Sequence, residues 1–148
     1  MITRKSKFLS AMLSVCMTFS AVPAVYAAGD GAGTSDIDGH WAKTALEEFI
    51  KEGYLNGDGN GNYMPNGTMT RAQFSAIVNR ILQYKDESAD ISKYKDVSAS
   101  AWYRADLAKA LAAAYLSGTS ADTMSPEASI TREQTFVILA RILKLDTT

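Results

Sequence analysis

The chain has 148 residues, of which 47% are hydrophobic and 21% charged, as in an ordinary globular protein. Its formal net charge of -1 excludes the strong overall positive field that attracts nucleic acid, so we expect no nucleic-acid partner. It contains one cysteine, Cys16, and one histidine, His40, which excludes a disulfide framework, a cysteine zinc site and most histidine-based metal chemistry.

The N-terminal segment, residues 1–27, has the pattern of a signal peptide. Basic residues precede an apolar stretch, and the small residues Val25 and Ala27 favour cleavage after Ala27 or one residue later. A retained membrane helix is one alternative, although the stretch is short and interrupted by Pro23. A lipoprotein is another, but Cys16 lacks the small residue expected before it. After cleavage the chain would have a net charge of -4, no cysteine and no integral membrane span.

A tandem repeat follows a flexible linker of small residues at 28–35. When Trp41 is placed on Trp102, an offset of 61 residues aligns the two halves without a gap. We therefore divide the remaining chain into a first repeat at 36–83, a charged, solvated connector at 84–94, a second repeat at 95–145 and a tail at 146–148. The aligned pairs include Leu46 with Leu107, Tyr54 with Tyr115, Gly57 with Gly118, Pro65 with Pro126, Arg71 with Arg132 and Arg80 with Arg141.

Each repeat is predicted to form two helices joined by a loop, which makes the fold class all-α. In the first repeat, an apolar stripe that begins at Trp41 ends at Gly53, and a glycine-rich loop at 56–67 leads to a second stripe from Phe74 to Leu82. The last helix of the second repeat is apolar nearly all round. It is therefore expected to be the more buried of the two second helices, or to await a partner. Because units of about 50 residues bury little surface alone, the repeats should pack together.

Two capping boxes open the second helices, with Thr70 and Gln73 in the first repeat and Thr131 and Gln134 in the second. In this motif the threonine oxygen accepts a hydrogen bond from a free backbone N–H, and the glutamine side chain reaches back to the cap residue. These four residues therefore have a structural explanation as helix caps.

Arg71 and Arg132 follow the two threonines, where the helix dipole makes a cation unfavourable by up to ~1 kcal/mol. Free N–H groups at a helix start favour an anion, and a guanidinium adds a fork that suits a carboxylate or phosphate. A salt bridge to a nearby Asp or Glu explains these arginines equally well, so the residue pattern leaves both interpretations open.

Trp41 and Trp102 stand where the first helices begin. A tryptophan there is more often part of the core, although its ring is also a stacking surface for a sugar. Asp36 and Asp96, which precede the tryptophans, are predicted to be turn or cap residues. His40 aligns with an alanine, which argues against an essential role.

The stretch from Asp58 to Asn62 resembles the start of a calcium loop, with oxygen-bearing residues at alternate positions. The sixth position is Tyr63 instead of glycine, and the twelfth is Met69 instead of glutamate, so we interpret the stretch as a glycine-rich turn. The chain has no nucleophile elbow, phosphate loop or zinc motif. We therefore expect no catalytic residue, no metal and no cofactor.

Two sets of motifs resemble the S-layer homology (SLH) domain, and together they cover almost the whole exported chain. The first set is Asp36-Ile-Asp-Gly-His-Trp41-Ala, Gly53-Tyr54-Leu55-Asn56-Gly57, Tyr63-Met-Pro65 and Met69-Thr70-Arg71-Ala72-Gln73-Phe74. The second is Lys95-Asp96-Val97, Trp102-Tyr103, Ala114-Tyr115-Leu116-Ser117-Gly118, Ser125-Pro126 and Ile130-Thr131-Arg132-Glu133-Gln134.

The resemblance implies a non-catalytic, secreted protein of a Gram-positive-type cell surface or S-layer. It implies anchoring by binding an anionic secondary cell-wall polysaccharide linked to peptidoglycan, often one with pyruvylated sugars. The ligand would lie in grooves between units, where the arginines contact the acidic sugar. The implied ligand-binding residues are Arg71, Arg132, Trp41, Trp102, Gly57 and Gly118.

The chain departs from the family pattern in three ways. Family members commonly carry three units in a pseudo-threefold helical bundle, whereas this chain has two. A third repeat could be absent, lost by truncation, or supplied by another chain or by self-association. Gln73 and Gln134 replace a frequent glutamate, and Asp106 falls on an expected apolar stripe. The alternatives to a glycan anchor are a protein–protein assembly module of the S-layer or envelope, and a wall-active hydrolase.

Overall fold

The computed structural model describes residues 35–145. The predicted signal peptide at 1–27, nearly all of the linker at 28–35 and the tail at 146–148 lie outside the described residues. Within the described part the fold is all-α as predicted, with no strand and a single antiparallel bridge between Thr70 and Ser129. No helix in this part is both long and apolar enough to cross a membrane. The helices are α1 (Lys43–Lys51), α2 (Arg71–Leu82), α3 (Arg104–Ala112) and α4 (Arg132–Leu143).

Both repeats have the predicted helix–loop–helix form, α1 with α2 and α3 with α4. Each helix boundary in the first repeat recurs 61 residues later in the second. Trp41 and Trp102 stand just ahead of the first helices instead of inside them. The offset inferred from the residues is therefore also the offset of the fold, and any two positions separated by 61 residues can be compared directly.

The repeats pack together where α2 lies against α3. Tyr115, which is buried, donates a hydrogen bond from its hydroxyl to Asn79 Oδ1 at 2.8 Å. Asn79 Nδ2 in turn donates to Asp106 O at 2.8 Å and to Asp106 Oδ1 at 3.0 Å. Asp106 thus departs from the apolar stripe because it receives a polar partner from the other repeat. Burial raises the pKa of the Tyr115 hydroxyl, so the ring stays neutral inside the interface.

The expectation that the last helix is the more buried one is wrong. Six residues of α2 are buried, whereas Ile138 is the one buried residue of α4. Phe136 is 63% exposed and Val137 43% exposed. The reason is that α3 covers α2, while no helix of the described part covers α4 in the same way.

The connector at 84–94 is not solvated throughout, and it contains no helix. Ile91 is buried in the core, and the ring of Tyr84 stacks on that of Tyr115 at a centroid distance of 5.7 Å. The charged residues of the connector obscure this packing in the sequence. The connector therefore helps to hold the two repeats together.

The first helix of each repeat is followed by a residue with positive φ. The predicted stop Gly53 has φ 72°, and its counterpart Ala114, which is exposed, has φ 57°. Left-handed backbone costs a residue with a Cβ about 1–2 kcal/mol. We expect Ala114→Gly to raise the free energy of unfolding by about 1 kcal/mol and Gly53→Ala to lower it by about as much, in urea denaturation. Changes of the same sign in both variants would contradict this account.

Candidate functional site

Each repeat has an open groove between its loop and its second helix. The groove of the first repeat, groove 1, has a volume of about 450 Å³, and that of the second, groove 2, about 310 Å³. The two grooves share eight lining positions at the repeat offset. These are Leu55, Asn56, Gly57, Asp58, Gln73, Ala76, Ile77 and Arg80 in groove 1, and Leu116, Ser117, Gly118, Thr119, Gln134, Val137, Ile138 and Arg141 in groove 2.

Each groove also contains one side chain from the other repeat. Trp102 of the second repeat lines groove 1, which contains Gly57. Arg71 of the first repeat lines groove 2, which contains Gly118. Four of the six residues implied by the resemblance thus come together, but in pairs that cross from one repeat to the other.

Arg71 is a buried cation at the edge of groove 2. It is 5% exposed, and it donates from Nε to Met124 O at 3.0 Å and from Nη2 to Ser117 O at 2.9 Å. Burial lowers the pKa of Arg71, and the charge of Asp96 opposes that shift. An arginine keeps its charge in proteins. No carboxylate in the described part of the chain forms an ion pair with it.

Arg132 has a different environment from its counterpart Arg71. Its side chain is exposed and lines neither groove. It also forms no ion pair or hydrogen bond with any residue from 35 to 145. The salt-bridge interpretation therefore has no support at either arginine within the described residues.

The start of α2 is not an open anion site. Arg71 N donates to Ala128 O at 3.0 Å and Ala72 N donates to Pro126 O at 2.9 Å, so the second repeat satisfies these N–H groups. Gln73 N donates to Thr70 Oγ1 at 3.2 Å. The expectation of free N–H groups at this helix start is wrong, because the loop of the second repeat packs over them. Any anion near Arg71 must be held by the guanidinium.

Both predicted capping boxes are present. Gln73 Oε1 accepts from Thr70 N at 2.9 Å, and Gln134 Oε1 accepts from Thr131 N at 3.3 Å. The two glutamines also line the grooves, so the capping boxes fix one polar side chain in each groove wall.

Two further arginines line the grooves, and the sequence interpretation did not select them. Arg80 donates to Tyr54 O at 3.0 Å in groove 1. Arg141 donates to Tyr115 O at 3.4 Å and to Ser117 Oγ at 3.3 Å in groove 2. The repeat alignment included both, and they lie seven residues after the capping glutamines, on the same helix face. That shared face is the pattern that could have identified them.

Gly57 and Gly118 lie where the groove wall is tightest. A Cβ on Gly57 would stand 2.6 Å from Asn62 O, and Gly57 has φ 63°. A Cβ on Gly118 would stand 2.6 Å from Ser120 O and 2.6 Å from the Tyr94 ring. Both glycines are thus required by the packing of the wall, independently of any ligand.

The two tryptophans lie outside the core. Trp102 is 59% exposed at groove 1, and Trp41 is 92% exposed and lines neither groove. Trp41 contacts His40 at a centroid distance of 5.6 Å. His40 also bonds to Asn66 Oδ1 at 3.2 Å and accepts from Ala42 N at 3.1 Å, so it has a local structural role.

Three carboxylates shape the loops beside the grooves. Asp36 accepts from Tyr63 N and Met64 N, and Asp96 accepts from Met124 N and Ser125 N, all within 3.2 Å. These two aspartates thus bind each loop to the segment ahead of the first helix. Asp58 accepts from the side chain of Asn62 and from the backbone N–H groups of Asn60 and Asn62, which closes the glycine-rich turn and lowers the pKa of Asp58.

A sequence model of the S-layer homology domain matches residues 33–75 and 93–136, more than half of the chain. The chain therefore belongs to the S-layer homology family, as the motifs predicted. It is a secreted, cell-surface protein, and its repeats form a cell-surface anchoring domain.

The chain is similar to small parts of much longer proteins. It is 31% identical over 140 residues to the Surface-layer 125 kDa protein of Lysinibacillus sphaericus, and the match covers 95% of this chain and 12% of that protein. It is 36% identical over 107 residues to Endo-1,4-beta-xylanase A of Thermoanaerobacterium saccharolyticum, a match that covers 70% of this chain and 9% of the xylanase. It is 30% identical over 74 residues to the Cellulosome-anchoring protein of Acetivibrio thermocellus, a match that covers 50% of this chain and 17% of that protein. The similarity to the xylanase is confined to the SLH region.

Proposed function

We propose that the two grooves bind an anionic secondary cell-wall polysaccharide, with pyruvylated sugars as its acidic units. The protein would thereby be held on a glycan linked to peptidoglycan, without catalysing a reaction and without a cofactor. The observation that carries this proposal is Arg71, a buried cation beside groove 2 that pairs with no described carboxylate.

Groove 2 has the chemistry to hold an acidic sugar. The guanidinium groups of Arg71 and Arg141 line it together with Gln134 and the hydroxyl-bearing Thr119. Glu133 is the one acidic residue among its described lining residues. A charge-assisted hydrogen bond from a guanidinium to a carboxylate is roughly twice as strong as a neutral one. Partial burial strengthens that attraction further.

Groove 1 offers a different pair of contacts. Arg80 supplies the cation, and Trp102 supplies an aromatic face on which a sugar ring can stack. The groove also contains Asp58, whose carboxylate is engaged by Asn60 and Asn62. Groove 1 is therefore suited to a sugar ring beside an acidic group, and groove 2 to the acidic group itself.

A wall-binding assay tests the proposal. We expect the exported protein to bind purified walls, and to bind at least tenfold less to walls from which the acidic polymer has been extracted. An Arg80→Gln, Arg141→Gln double variant should lose at least tenfold in affinity for intact walls, since each lost charged hydrogen bond is worth about 1.5–3 kcal/mol. Glutamine keeps a donor for the carbonyls that the arginines contact.

Arg104→Gln is the matched control. Arg104 donates to Val97 O at 3.2 Å and lines neither groove. Its loss should therefore leave wall binding unchanged. Equal binding to extracted walls, or equal losses in the control and the double variant, would reject the glycan-binding function. Release of soluble sugar from the walls would instead indicate a hydrolase.

A second candidate function is a protein–protein assembly module of the S-layer or envelope. The observation that favours it is the exposed apolar face of α4, with Phe136 and Val137. Under either function we expect export after cleavage of the predicted signal peptide at Ala27.

A further inference from the structure

The glycine-rich loop beside groove 1 contains three asparagines that are each followed by glycine. The pairs are Asn56-Gly57, Asn60-Gly61 and Asn66-Gly67. A side-chain amide in this setting is prone to spontaneous deamidation, because a glycine has no Cβ to hinder attack by its backbone nitrogen and adopts conformations that other residues avoid. The second repeat contains no asparagine, so this chemistry is confined to the first repeat.

The Asn56-Gly57 pair has both of its reacting groups unengaged. Asn56 is exposed, and its side chain makes no hydrogen bond within residues 35–145. The backbone N–H and C=O groups of the two residues also have no hydrogen-bond partner in that range, whereas Asp58 N, the next along the chain, donates to Asn62 O at 3.0 Å. The amide of Asn56 and the nitrogen of Gly57 can therefore approach each other without breaking a hydrogen bond.

The Asn66-Gly67 pair is held at both reacting groups. Gly67 N donates to Met64 O at 2.8 Å, and Asn66 Oδ1 bonds to His40 Nε2 at 3.2 Å. Reaction of this pair would require both bonds to break. The fold therefore protects Asn66, although its local sequence has the same reactive dipeptide as Asn56.

The Asn60-Gly61 pair lies beside a carboxylate. Asp58 Oδ1 accepts from Asn60 N at 2.8 Å and from Asn62 N at 3.2 Å, on either side of Gly61 along the chain. The Gly61 nitrogen must lose its proton before it can attack, and a nearby negative charge opposes that loss. The backbone nitrogens on either side of Gly57 bond to no carboxylate in the described part of the chain. Asn60 is therefore expected to react more slowly than Asn56.

We propose that Asn56 is a site of spontaneous deamidation. The Gly57 nitrogen, after losing its proton to solvent, forms a bond to Asn56 Cγ, and the side-chain nitrogen takes up a proton and leaves as ammonia. The product is a five-membered succinimide ring. Water then opens the ring at either carbonyl. One product is aspartate, and the other is isoaspartate, in which the backbone runs through the former side chain.

Deamidation would change the charge of groove 1, which Asn56 lines. Among the described residues of that groove, Arg80 is the one cation and Asp58 the one carboxylate, so the lining is formally neutral. A carboxylate at position 56 would make it negative. Juxtaposed like charges oppose binding, so the altered groove would repel an acidic sugar.

Isoaspartate would also alter the shape of the groove wall, because it adds one atom to the backbone. The addition falls directly before Gly57, where a Cβ would already stand 2.6 Å from Asn62 O. The wall has no space at that point, so the loop would have to shift. Both products of the reaction therefore disturb groove 1.

Groove 2 is protected from this change. The counterpart of Asn56 there is Ser117, which has no amide to lose and whose Oγ accepts from Arg141 Nη1 at 3.3 Å. Deamidation would therefore weaken one groove and spare the other, so that older copies hold the wall less tightly than new ones. This consequence rests on the proposed glycan-binding function, whereas the modification itself requires no glycan.

Peptide mapping tests the modification. Trypsin cleaves after Lys51 and Arg71, so one peptide carries all three Asn-Gly pairs. When the folded, exported protein is kept for days in mildly alkaline buffer, we expect the amide-to-acid mass increase at Asn56 first, severalfold faster than at Asn66. In urea the three asparagines should convert at similar rates, because their dipeptides are the same. Another asparagine converting first in the folded protein, or equal rates at all three, would overturn the proposal.

Wall binding tests the consequence. We expect the incubated protein to bind intact walls severalfold more weakly than fresh protein does, and fresh Asn56→Asp to be weakened to a similar degree. Asn56→Ser, which introduces the groove 2 residue, should bind equally before and after the incubation. Ala121→Asp adds the same charge at an exposed position that lines neither groove, and it should bind as the unmodified protein does.

The two measurements fail separately. Deamidation at Asn56 without weaker binding would keep the modification site and reject its effect on groove 1. An equal decline of Asn56→Ser during the incubation would reject that effect as well. A fresh protein that does not bind walls would reject the glycan-binding function alone, because the peptide map stands without it.

Discussion

Replacing Gly118 with alanine is expected to lower the free energy of unfolding by about 3 kcal/mol, the upper end of the usual cost of overpacking. The added Cβ would stand 2.6 Å from Ser120 O, 2.6 Å from the Tyr94 ring and 2.8 Å from Thr123 O. Two of these atoms belong to the backbone and cannot rotate away. The third belongs to Tyr94, which is itself buried. Urea denaturation of the exported variant measures the loss.

Gly61→Ala is the control for this substitution. Gly61 has φ 85° and open space around its Cα, so an alanine there meets backbone strain but no clash. We expect a loss of about 1 kcal/mol. Equal losses at the two positions would mean that the groove wall yields to the added methyl group. Because this clash can unfold the protein, a loss of wall binding in Gly118→Ala is evidence of ligand contact only if the variant is folded.

The same substitution at the two repeat-equivalent arginines is expected to have very different effects. Arg71→Met should lower the free energy of unfolding by about 2 kcal/mol, because Met124 O and Ser117 O each lose a charged donor inside the interface. Arg132→Met should change it by less than about 0.5 kcal/mol, because Arg132 is exposed. Methionine retains most of the side-chain volume, so the comparison isolates the hydrogen bonds.

Thermal or urea unfolding of the two variants measures this difference in stability. Losses of similar size in the two variants would contradict the assignment of Arg71 to the contact between the repeats. In the wall-binding assay, Arg71→Met should also bind the walls more weakly, because groove 2 loses a guanidinium, even under conditions where the variant remains folded.

The features that the sequence predicted well depend on nearby residues. The capping boxes are formed by residues three positions apart, and the helix stop at Gly53 depends on its own φ. The repeat offset also transfers directly to the helix boundaries, because equal local sequences form equal local structure. These parts of the fold require no knowledge of which surfaces meet.

The burial of each arginine and the make-up of each groove could not be predicted, because both depend on which neighbouring segment covers each repeat. Arg71 and Arg132 have the same local setting, but within residues 35–145 the second repeat covers Arg71 and leaves Arg132 exposed. For the same reason Trp102 lines the same groove as Gly57, and Arg71 the same groove as Gly118, so that neither groove is built from its own repeat alone. The apolar character of α4 was recognised, but the sequence could not distinguish a buried helix from an uncovered one.

Tyr115 makes the joint between the repeats sensitive to alkali. Its hydroxyl is held neutral by burial and donates its proton to Asn79 Oδ1 at 2.8 Å and to Ser75 O at 3.2 Å. The folded state therefore binds that proton more tightly than the unfolded chain does. Its contribution to stability is complete below the ordinary tyrosine pKa of about 10 and declines as the solution becomes more basic. Strongly alkaline conditions would thus destabilise the interface between the repeats, across which each groove receives a side chain from the other repeat.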